Sequence, residues 1–227
     1  MNVDCVIPAL NEAASLPSLL DELSRSRARR VVVVDNGSRD ATAEVARAGG
    51  AEVVAEPRRG YGSACLAGIA HLASSPPDVV VFLDGDCADD PRALDELVAP
   101  IERDRADLVV GSRTLGRREP GALTPQQRVG NALAVALIRG LYRHRFTDLG
   151  PFRAIRFPSL QALGMRDRDF GWTVEMQVKA LRRGLRVVEV PVDYRRRRAG
   201  QSKVSSTVRG TIGAGCKIVW TILRHAR

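Results

Sequence analysis

Continuous apolar runs alternate with helix-like segments through the first half of the chain, and this alternation constrains the fold most strongly. Residues 30–35 contain four consecutive valines, and residues 78–83 form a second apolar run. Such runs are typical of strands buried on both faces of a parallel sheet. The segments between them carry apolar residues three and four positions apart, as amphipathic helices do. This order predicts an α/β fold with a mostly parallel sheet and helices on both faces.

The predicted elements of the first half follow from these patterns. Strands are predicted at residues 4–8, 30–35, 52–55, 78–83 and 108–111. Helices are predicted at residues 12–23, 40–48, 60–73 and 91–101. After Gly111 the alternation weakens, and a mobile loop rich in Gly, Pro and charge is expected at residues 117–125. Beyond it we predict helices at 126–142 and 173–183, strands at 152–157 and 186–190, and a basic loop at 192–201.

Residues 204–223 predict a C-terminal amphipathic helix. Its apolar positions have helical spacing, and its cations lie on or beside the other face: Val204, Val208, Ile212, Cys216, Val219 and Leu223 against Arg209, Lys217 and Arg224. Such a helix can lie on a membrane surface, or it can pack on its own domain or a partner. Lys217 interrupts the apolar run, so we expect no membrane span. The expected location is cytoplasmic, with peripheral attachment to the inner face of the cell membrane as the alternative.

Composition excludes several classes. Aromatic residues make up only 4% of the chain, which argues against a base-stacking nucleic-acid module, and no nucleic-acid partner is expected. Cys5, Cys65, Cys87 and Cys216 show no paired spacing, so they indicate neither a zinc site nor a disulfide framework. Because the chain enters a strand-like run at once, we expect no signal peptide.

The net charge of +9 is distributed unevenly. Residues 1–110 carry 11 Lys+Arg and 19 Asp+Glu, a net of −8, so the remaining 24 and 7 give the second part +17. A strongly basic half can hold an anionic acceptor or an anionic membrane surface. A general preference for Arg on solvated surfaces is the alternative interpretation.

Polar residues stand where three predicted strands end. These ends are Pro-Ala-Leu-Asn-Glu at 8–12, Asp-Asn-Gly-Ser at 35–38 and Asp-Gly-Asp at 84–86. Ligands of open parallel sheets bind beyond the carboxyl ends of the strands, so we expect one composite site. Asp35 can accept a hydrogen bond from a base or ribose, Gly37 allows a tight turn, and Ser38 can hydrogen-bond nearby.

Asp84 and Asp86 are carboxylates one residue apart at the end of a buried run. Their charges repel each other and they add no apolar packing. A divalent cation relieves this repulsion, because Mg²⁺ and Mn²⁺ take oxygen ligands and leave positions for substrate phosphates. The alternative is a solvated acidic turn that caps the helix beginning near Pro91.

Other nucleotide-binding classes fit less well. A dinucleotide-binding dehydrogenase needs a glycine-rich turn after the first strand, and residues 8–12 contain no glycine. Gly60 and Gly62 begin a later helix without the third glycine of that motif. A nucleotidyltransferase would carry a Gly-rich loop with Arg or Lys after the first strand. A non-catalytic binder of nucleotide sugars or polyanions is a further alternative, which the Asp84-Gly85-Asp86 motif disfavours.

Five further motifs accompany the three strand ends: Arg-Gly-Tyr-Gly at 59–62, Gly-Ser-Arg at 111–113, Asp-Leu-Gly-Pro-Phe-Arg at 148–153, Glu-Val-Pro at 189–191 and Arg-Ala-Gly-Gln-Ser-Lys at 198–203. Together and in this order, over about residues 3–203, they resemble family 2 glycosyltransferases, most of all the dolichyl- or polyprenyl-phosphate mannose synthase branch. The resemblance implies a Rossmann-like GT-A fold, inversion at the anomeric carbon, a nucleotide-sugar donor such as GDP-mannose or UDP-glucose, and a Mg²⁺ or Mn²⁺ ion. It implies one domain over residues 1–227, with a nucleotide-sugar half (1–111), an acceptor half (112–203) and a C-terminal helix (204–227).

The resemblance also implies roles by position. Pro8, Asn11, Glu12 and Asp35 would line the nucleoside pocket, with Gly37 and Ser38 beside them. Asp84 and Asp86 would face the ribose, the diphosphate and the metal. Arg113 and Arg128 would contact the acceptor phosphate or the donor diphosphate, and Arg198, Ser202 and Lys203 would form a loop that closes over the phosphates. Among these, Asp86, Arg113, Arg198 and Lys203 are expected to be catalytic.

Three positions depart from the family pattern. Asn36 replaces the usual second acid of its motif, and Ala88 stands where a metal-binding Gln is common, so Asp89 or water would have to substitute. Gly150-Pro151 stands where Ser-Gly is more usual, which bears on the acceptor class.

A polyprenyl or dolichyl phosphate is the expected acceptor, because its anionic oxygen needs no strong base. None of His71, His144 and His225 has the setting of a base. A soluble hydroxyl acceptor is the alternative, and a carboxylate would then take its proton. Asp148 is the first candidate, with a loop cap as its alternative role. Glu175 is the second, with an ion pair to a nearby Arg as its alternative role.

Overall fold

A computed structural model describes residues 1–197 and 208–226 of the protein. The strands are β1 (Val3–Ala9), β2 (Arg30–Asp35), β3 (Glu52–Ala55), β4 (Val79–Phe82), β5 (Leu108–Ser112), β6 (Arg153–Arg156) and β7 (Val187–Pro191). They form one sheet in the order β3-β2-β1-β4-β6-β5-β7. Four of its six strand pairs are parallel, which confirms the mostly parallel sheet.

Helices cover both faces of this sheet, as predicted. They are α1 (Leu16–Ser24), α2 (Thr42–Ala48), α3 (Tyr61–Leu72), α4 (Leu94–Glu102), α5 (Pro125–Tyr142), α6 (Phe157–Leu163), α7 (Trp172–Arg182) and α8 (Val208–Arg224). Alternate side chains of β1 enter two separate cores: Cys5 and Ile7 pack with α1 and α4, whereas Val6 packs with α3, α5 and α7. The sheet is therefore buried on both faces, which explains its continuous valine runs.

Strand β6 is the main departure from the simple alternating order. It lies between β4 and β5 and is antiparallel to both. The local pattern predicted a strand here but contained no signal for its direction, because direction depends on the path of the chain through α5.

The structure corrects two element boundaries. Phe157 begins helix α6 instead of ending a strand, and Pro158 occupies the first turn of that helix, where a missing N–H costs no hydrogen bond. Helix α1 begins at Leu16 instead of residue 12, because residues 12–15 form a turn in which the Ser15 and Leu16 N–H groups donate to the Glu12 carbonyl.

The C-terminal helix is confirmed from Val208 onward, whereas residues 204–207 lie outside the described ranges. Within residues 1–197 and 208–226, no helix combines the length and hydropathy that a membrane crossing requires.

Candidate active site

A cavity of about 310 Å³ opens at the carboxyl ends of β1, β2 and β4. Strand β1 is central to this edge, since Ala9 lies opposite Asp35 of β2 and Val6 lies opposite Phe82 of β4. The three polar strand ends therefore meet, as the sequence predicted. Four of the predicted residues line the cavity: Pro8, Glu12, Asp84 and Asp86.

The other predicted residues of the first two strand ends join the two loops to each other. The Asn11 N–H donates to Ser38 Oγ at 2.9 Å, and the Ser38 N–H donates to Asp35 Oδ1 at 3.0 Å. Gly37 has a φ of 78°, and Asn11 has a φ of 52°, which Asn tolerates better than most residues. These contacts hold the rim of the cavity in one arrangement.

The hydrogen bonds of Asn36 account for an amide at a position where the family more often has an acid. Its Nδ2 donates to the carbonyls of Glu56 and Arg58 at 3.0 and 2.8 Å, while its Oδ1 accepts from the Gly60 N–H at 2.8 Å. A carboxylate cannot donate to two carbonyls. The amide therefore organises the loop that leads into α3, and Asn36 itself lines the cavity.

Three aspartates crowd the loop after β4. Asp86 and Asp89 are buried, and Asp84 forms part of the cavity wall. Burial and the neighbouring Asp86 charge raise the pKa of Asp84 to about 7. Burial, Asp84 and Asp86 also raise the pKa of Asp89. This concentration of negative charge is costly without a cation.

These aspartates fit a divalent metal ion. Asp84 Oδ1 and both carboxylate oxygens of Asp89 are buried and accept no hydrogen bond within the described ranges, and Asp86 Oδ2 is buried with the Arg197 guanidinium beside it. Within the same ranges, no three acid, His or Cys side chains converge to hold a metal by themselves. Mg²⁺ and Mn²⁺ commonly bind through one or two carboxylates, with substrate phosphates and water completing the shell. The geometry matches that pattern better than a closed protein cage.

Arg197 supplies a positive charge to this loop. Its Nη2 lies 2.8 Å from Asp86 Oδ2. Residues 194 and 195 pack along the loop of the aspartates. The Arg195 N–H donates to the Ala88 carbonyl at 2.8 Å, and the backbones of Tyr194 and Asp89 pair in an isolated β-bridge. A segment remote in sequence thus reaches the aspartates, and Arg197 lines the cavity.

Arg113 and the buried Asp148 form an ion pair beside the aspartates. Arg113 Nε and Nη2 donate to the two carboxylate oxygens of Asp148 at 2.7 and 2.8 Å, and the Arg113 guanidinium lies 5.1 Å from the centre of the Tyr194 ring. Burial opposes the charge of each group. Their mutual hydrogen bonds outweigh it, raising the pKa of Arg113 and lowering the pKa of Asp148.

The segment that carries Asp148 is held from several sides. Glu189 accepts from the N–H groups of Thr147 and Asp148, and Asn131 of α5 bonds the Thr147 carbonyl and the Leu149 N–H. The fully buried Arg153 donates to the carbonyls of Gly150 and Thr173. Asp148 is therefore fixed in position, and its two oxygens accept four hydrogen bonds, from Arg113 and Leu149.

Comparison with known proteins decides the class of this site. Residues 4–164 match the family described as Glycosyl transferase family 2. The chain is a family 2 glycosyltransferase. It is 42% identical over 211 residues to an uncharacterized glycosyltransferase of Mycobacterium tuberculosis, covering 92% of this chain and 93% of that one.

Two further relatives extend the comparison. The glycosyltransferase is 31% identical over 224 residues to the undecaprenyl-phosphate mannosyltransferase of Micrococcus luteus, covering 92% and 90% of the two chains. It shares its fold with glucosyl-3-phosphoglycerate synthase of Mycobacterium tuberculosis, solved with Mn²⁺, uridine diphosphate and phosphoglyceric acid. That structure gives a TM-score of 0.79 at 22% identity, covering 99% of this chain and 78% of the other. The predicted GT-A fold is confirmed.

The remaining predicted residues of the glycosyltransferase have different outcomes. Arg128 is exposed near the start of α5, one turn before Asn131. Glu175 does not line the cavity of the aspartates; its carboxylate accepts from the Arg166 and Asp167 N–H groups, so the prediction of a base there is wrong. Arg198, Ser202 and Lys203 lie outside the described residues.

Several residues that line the cavity of the enzyme had no predicted role, among them Arg59, Tyr61, Phe170 and Arg197. Arg59 and Tyr61 belong to the Arg-Gly-Tyr-Gly motif at residues 59–62, which was the sequence signal available for them. Phe170 and Arg197 come from distant segments that carry no local mark of this cavity.

Proposed function

We propose that this glycosyltransferase moves a hexose from a nucleotide sugar, GDP-mannose or UDP-glucose, to a polyprenyl or dolichyl phosphate. Transfer would displace the nucleoside diphosphate from the anomeric carbon with inversion. The nucleoside would occupy the cavity at the ends of β1, β2 and β4, and its diphosphate would lie near Asp84 and Asp86. The crowding of the Asp84, Asp86 and Asp89 carboxylates after β4, with buried oxygens of Asp84 and Asp89 that accept no hydrogen bond within the described ranges, supports this placement.

Asp84 and Asp86 would hold Mg²⁺ or Mn²⁺, which when bound neutralises charge on the leaving diphosphate. Arg113 would add a fixed positive charge, because Asp148 uses its Nε and Nη2 and leaves the Nη1 amino group for a phosphate oxygen. Arginine matches phosphate geometry well, and a charge that is already oriented loses little on binding. Arg198, Ser202 and Lys203 are proposed to close over the phosphates.

An exposed apolar stripe on α5 is the observation that carries the acceptor class. Val129 and Leu133 are 68% and 62% exposed, and Ala136 continues the same helical face. The stripe begins beside Arg128, and α5 is anchored to the Asp148 segment through Asn131. A phosphate near Arg128 would therefore have an apolar surface for its prenyl chain.

The Asp148 carboxylate supports a phosphate acceptor over a hydroxyl. A general base needs a free lone pair and a pKa near the working pH. Asp148 accepts four hydrogen bonds, and its pKa is lowered despite burial. We propose that Asp148 positions Arg113 instead of removing a proton. The Micrococcus luteus relative, an undecaprenyl-phosphate mannosyltransferase, agrees with this choice.

A donor screen tests the proposal. Purified enzyme is incubated with Mn²⁺ and each nucleotide sugar, with and without a short prenyl phosphate in detergent, and release of nucleoside diphosphate is followed. We expect one donor to be consumed much faster when the prenyl phosphate is present. In a third arm phosphoglyceric acid replaces the prenyl phosphate, and consumption that rises only in that arm would favour the soluble alternative. No consumption with any donor would favour a non-catalytic binder.

Arg197 provides a test of the metal site that does not depend on turnover. We expect Arg197→Gln to tighten Mn²⁺ binding about five- to tenfold without nucleotide, because Arg197 pairs with the Asp86 oxygen that the metal would use. Titration of free Mn²⁺ by electron paramagnetic resonance measures the change. Arg196→Gln is the matched control, because the Arg196 side chain donates to the Pro120 carbonyl. Unchanged or weaker Mn²⁺ binding in Arg197→Gln would contradict a metal site at Asp86.

Leu133 tests the path of the prenyl chain. We expect Leu133→Glu to raise KM for a long-chain prenyl phosphate about tenfold or more with little change in kcat, because a charge on the stripe opposes burial of the chain. Steady-state assays in detergent measure both constants. Ala162→Glu places the same charge on the exposed surface of α6 and should change neither. Equal effects of the two variants would remove α5 from the acceptor site.

A further inference from the structure

A second cavity lies away from the proposed donor site, between α7, α8 and residues 163–168. Its volume is about 510 Å³, larger than that of the donor cavity, and the two share no lining residue. Basic side chains dominate its walls, and they come from all three segments: Arg166, Arg168, Lys179, Arg183, Lys217 and Arg224.

The acidic residues in this cleft are already neutralised. Glu175 is buried, and its carboxylate lies 2.6 Å from Lys179 Nζ, while Asp167 Oδ2 lies 3.0 Å from Lys217 Nζ. In contrast, Arg166 and Arg183 are exposed, and neither side chain forms an ion pair with any residue in the described ranges. The cleft therefore has more positive charge than its own acids balance.

Trp220 helps to hold that charge in place. It is 49% exposed, and its ring lies 5.2 Å from Lys217 Nζ and 4.8 Å from the Arg224 guanidinium carbon. Such cation–π contacts favour defined positions for side chains that otherwise move freely in solvent. Burial, and then the nearby Lys179 charge, lower the pKa of His225 at the edge of the same cleft, which agrees with a positive local potential.

We propose that this cleft binds a phosphate-bearing anion, separate from the donor and the acceptor. Several arginines and lysines that converge on one concave surface are suited to phosphate oxygens, which accept several charge-assisted hydrogen bonds at once. The phosphate can belong to a lipid headgroup or to a soluble phosphorylated molecule. In both cases the recognising chemistry is the same.

Residues 166–170 lie between the cleft and the donor cavity and contribute side chains to both. Arg168 lines the cleft, and its carbonyl accepts from the Ser63 N–H of α3 at 2.9 Å. A Cβ atom at Gly62 would lie 2.1 Å from the Asp167 carbonyl oxygen, so α3 and this segment are in tight contact. Two residues further on, Phe170 lines the donor cavity. An anion that orders residues 166–168 would therefore also stabilise a wall of the donor cavity.

Trp220 fluorescence tests the proposal without metal, donor or acceptor. The chain has two tryptophans, and Trp172 is fully buried, so Trp220 is expected to carry the solvent-sensitive signal; a Trp220→Phe variant confirms the assignment. Full-length protein is titrated with inorganic pyrophosphate in one arm. In the other arm it is mixed with vesicles of phosphatidylcholine, with or without phosphatidylglycerol.

Arg166→Gln/Arg183→Gln should weaken binding about tenfold, because two charge-assisted contacts are lost. Arg47→Gln/Arg105→Gln removes the same charge from exposed positions elsewhere and should leave binding unchanged. A saturable response to pyrophosphate that follows this pattern supports a soluble ligand, and a response only to phosphatidylglycerol vesicles supports a headgroup. No response in either arm, or equal losses in the two double variants, would overturn the proposal. Failure of sugar transfer would not affect this result, because no donor is present.

Discussion

We expect the Asp86→Asn variant to lose about 10³-fold or more in the rate of sugar transfer and to remain as stable as the parent enzyme. The substitution removes a charge that would hold the metal ion against the leaving diphosphate. It keeps an oxygen that can accept from the Ala88 N–H, a bond of 2.9 Å to Asp86 Oδ1. Loss of activity would therefore not reflect loss of the loop.

The stability of this variant is informative in its own right. Asp84, Asp86 and Asp89 repel one another, and burial together with this repulsion raises the pKa values of Asp84 and Asp89. Removing the Asp86 charge relieves that repulsion, and the ion pair lost with the partly exposed Arg197 contributes little, so the free energy of unfolding measured without metal should not fall. Functional residues that oppose folding commonly behave in this way.

Asp90 is the matched control on the same loop. Its carboxylate pairs with Arg92 and with Arg195, the latter at 2.7 Å. Burial opposes ionisation of Asp90, but hydrogen bonds from these arginines outweigh it and lower its pKa to about 2. Asp90→Asn should therefore reduce stability and leave Mn²⁺ affinity unchanged. Near-parental turnover of Asp86→Asn with Mn²⁺, or equal loss of metal binding in both variants, would contradict our assignment.

The second large effect concerns Asp148. We expect Asp148→Ala to lower the free energy of unfolding by about 3 kcal/mol, because it leaves the largely buried Arg113 guanidinium without its partner. Transfer should be lost as well, since Arg113 would no longer be oriented. Urea denaturation and a transfer assay measure the two effects, and the milder Asp148→Asn variant should change both in the same direction.

The double variant Arg113→Met/Asp148→Leu separates positioning from proton transfer. Replacing both members of a buried ion pair by apolar residues often restores stability. We therefore expect it to recover much of the stability that Asp148→Ala loses and to stay inactive. If Asp148→Asn instead keeps full stability and loses only activity towards a hydroxyl acceptor, Asp148 acts as a base and the phosphate acceptor is wrong.

Much of the sheet and its ligand-binding edge could be predicted, because the signals are local. Four adjacent valines in β2 specify a strand buried on both faces, and the polar residues after β1, β2 and β4 mark where those strands end. Asp84 and Asp86 were recognisable because two neighbouring carboxylates gain nothing from a buried strand end. The crowding of Asp89 with them depends on the turn of the loop, which no periodicity describes.

The contacts that were missed join distant segments. Arg113 and Asp148 are 35 positions apart, and Arg197 reaches Asp86 from the other end of the chain. The sequence around these residues does not indicate either contact, because only the tertiary fold brings the two partners together. The same reason accounts for the direction of β6. The sequence shows that Asn36 replaces the usual acid of its motif. Only the structure shows the reason, which is that its amide forms three hydrogen bonds, two as donor and one as acceptor.

The most direct test of the proposed function is isolation of the product. Enzyme, Mn²⁺, a donor labelled in its sugar and a prenyl phosphate are incubated in detergent, and the lipid fraction is extracted and treated with mild acid. We predict labelled sugar in the lipid fraction of the parent enzyme, released by the acid, and none with Asp86→Asn. A parent enzyme that transfers the label only to a soluble hydroxyl acceptor, and never to the prenyl phosphate, would contradict the central claim.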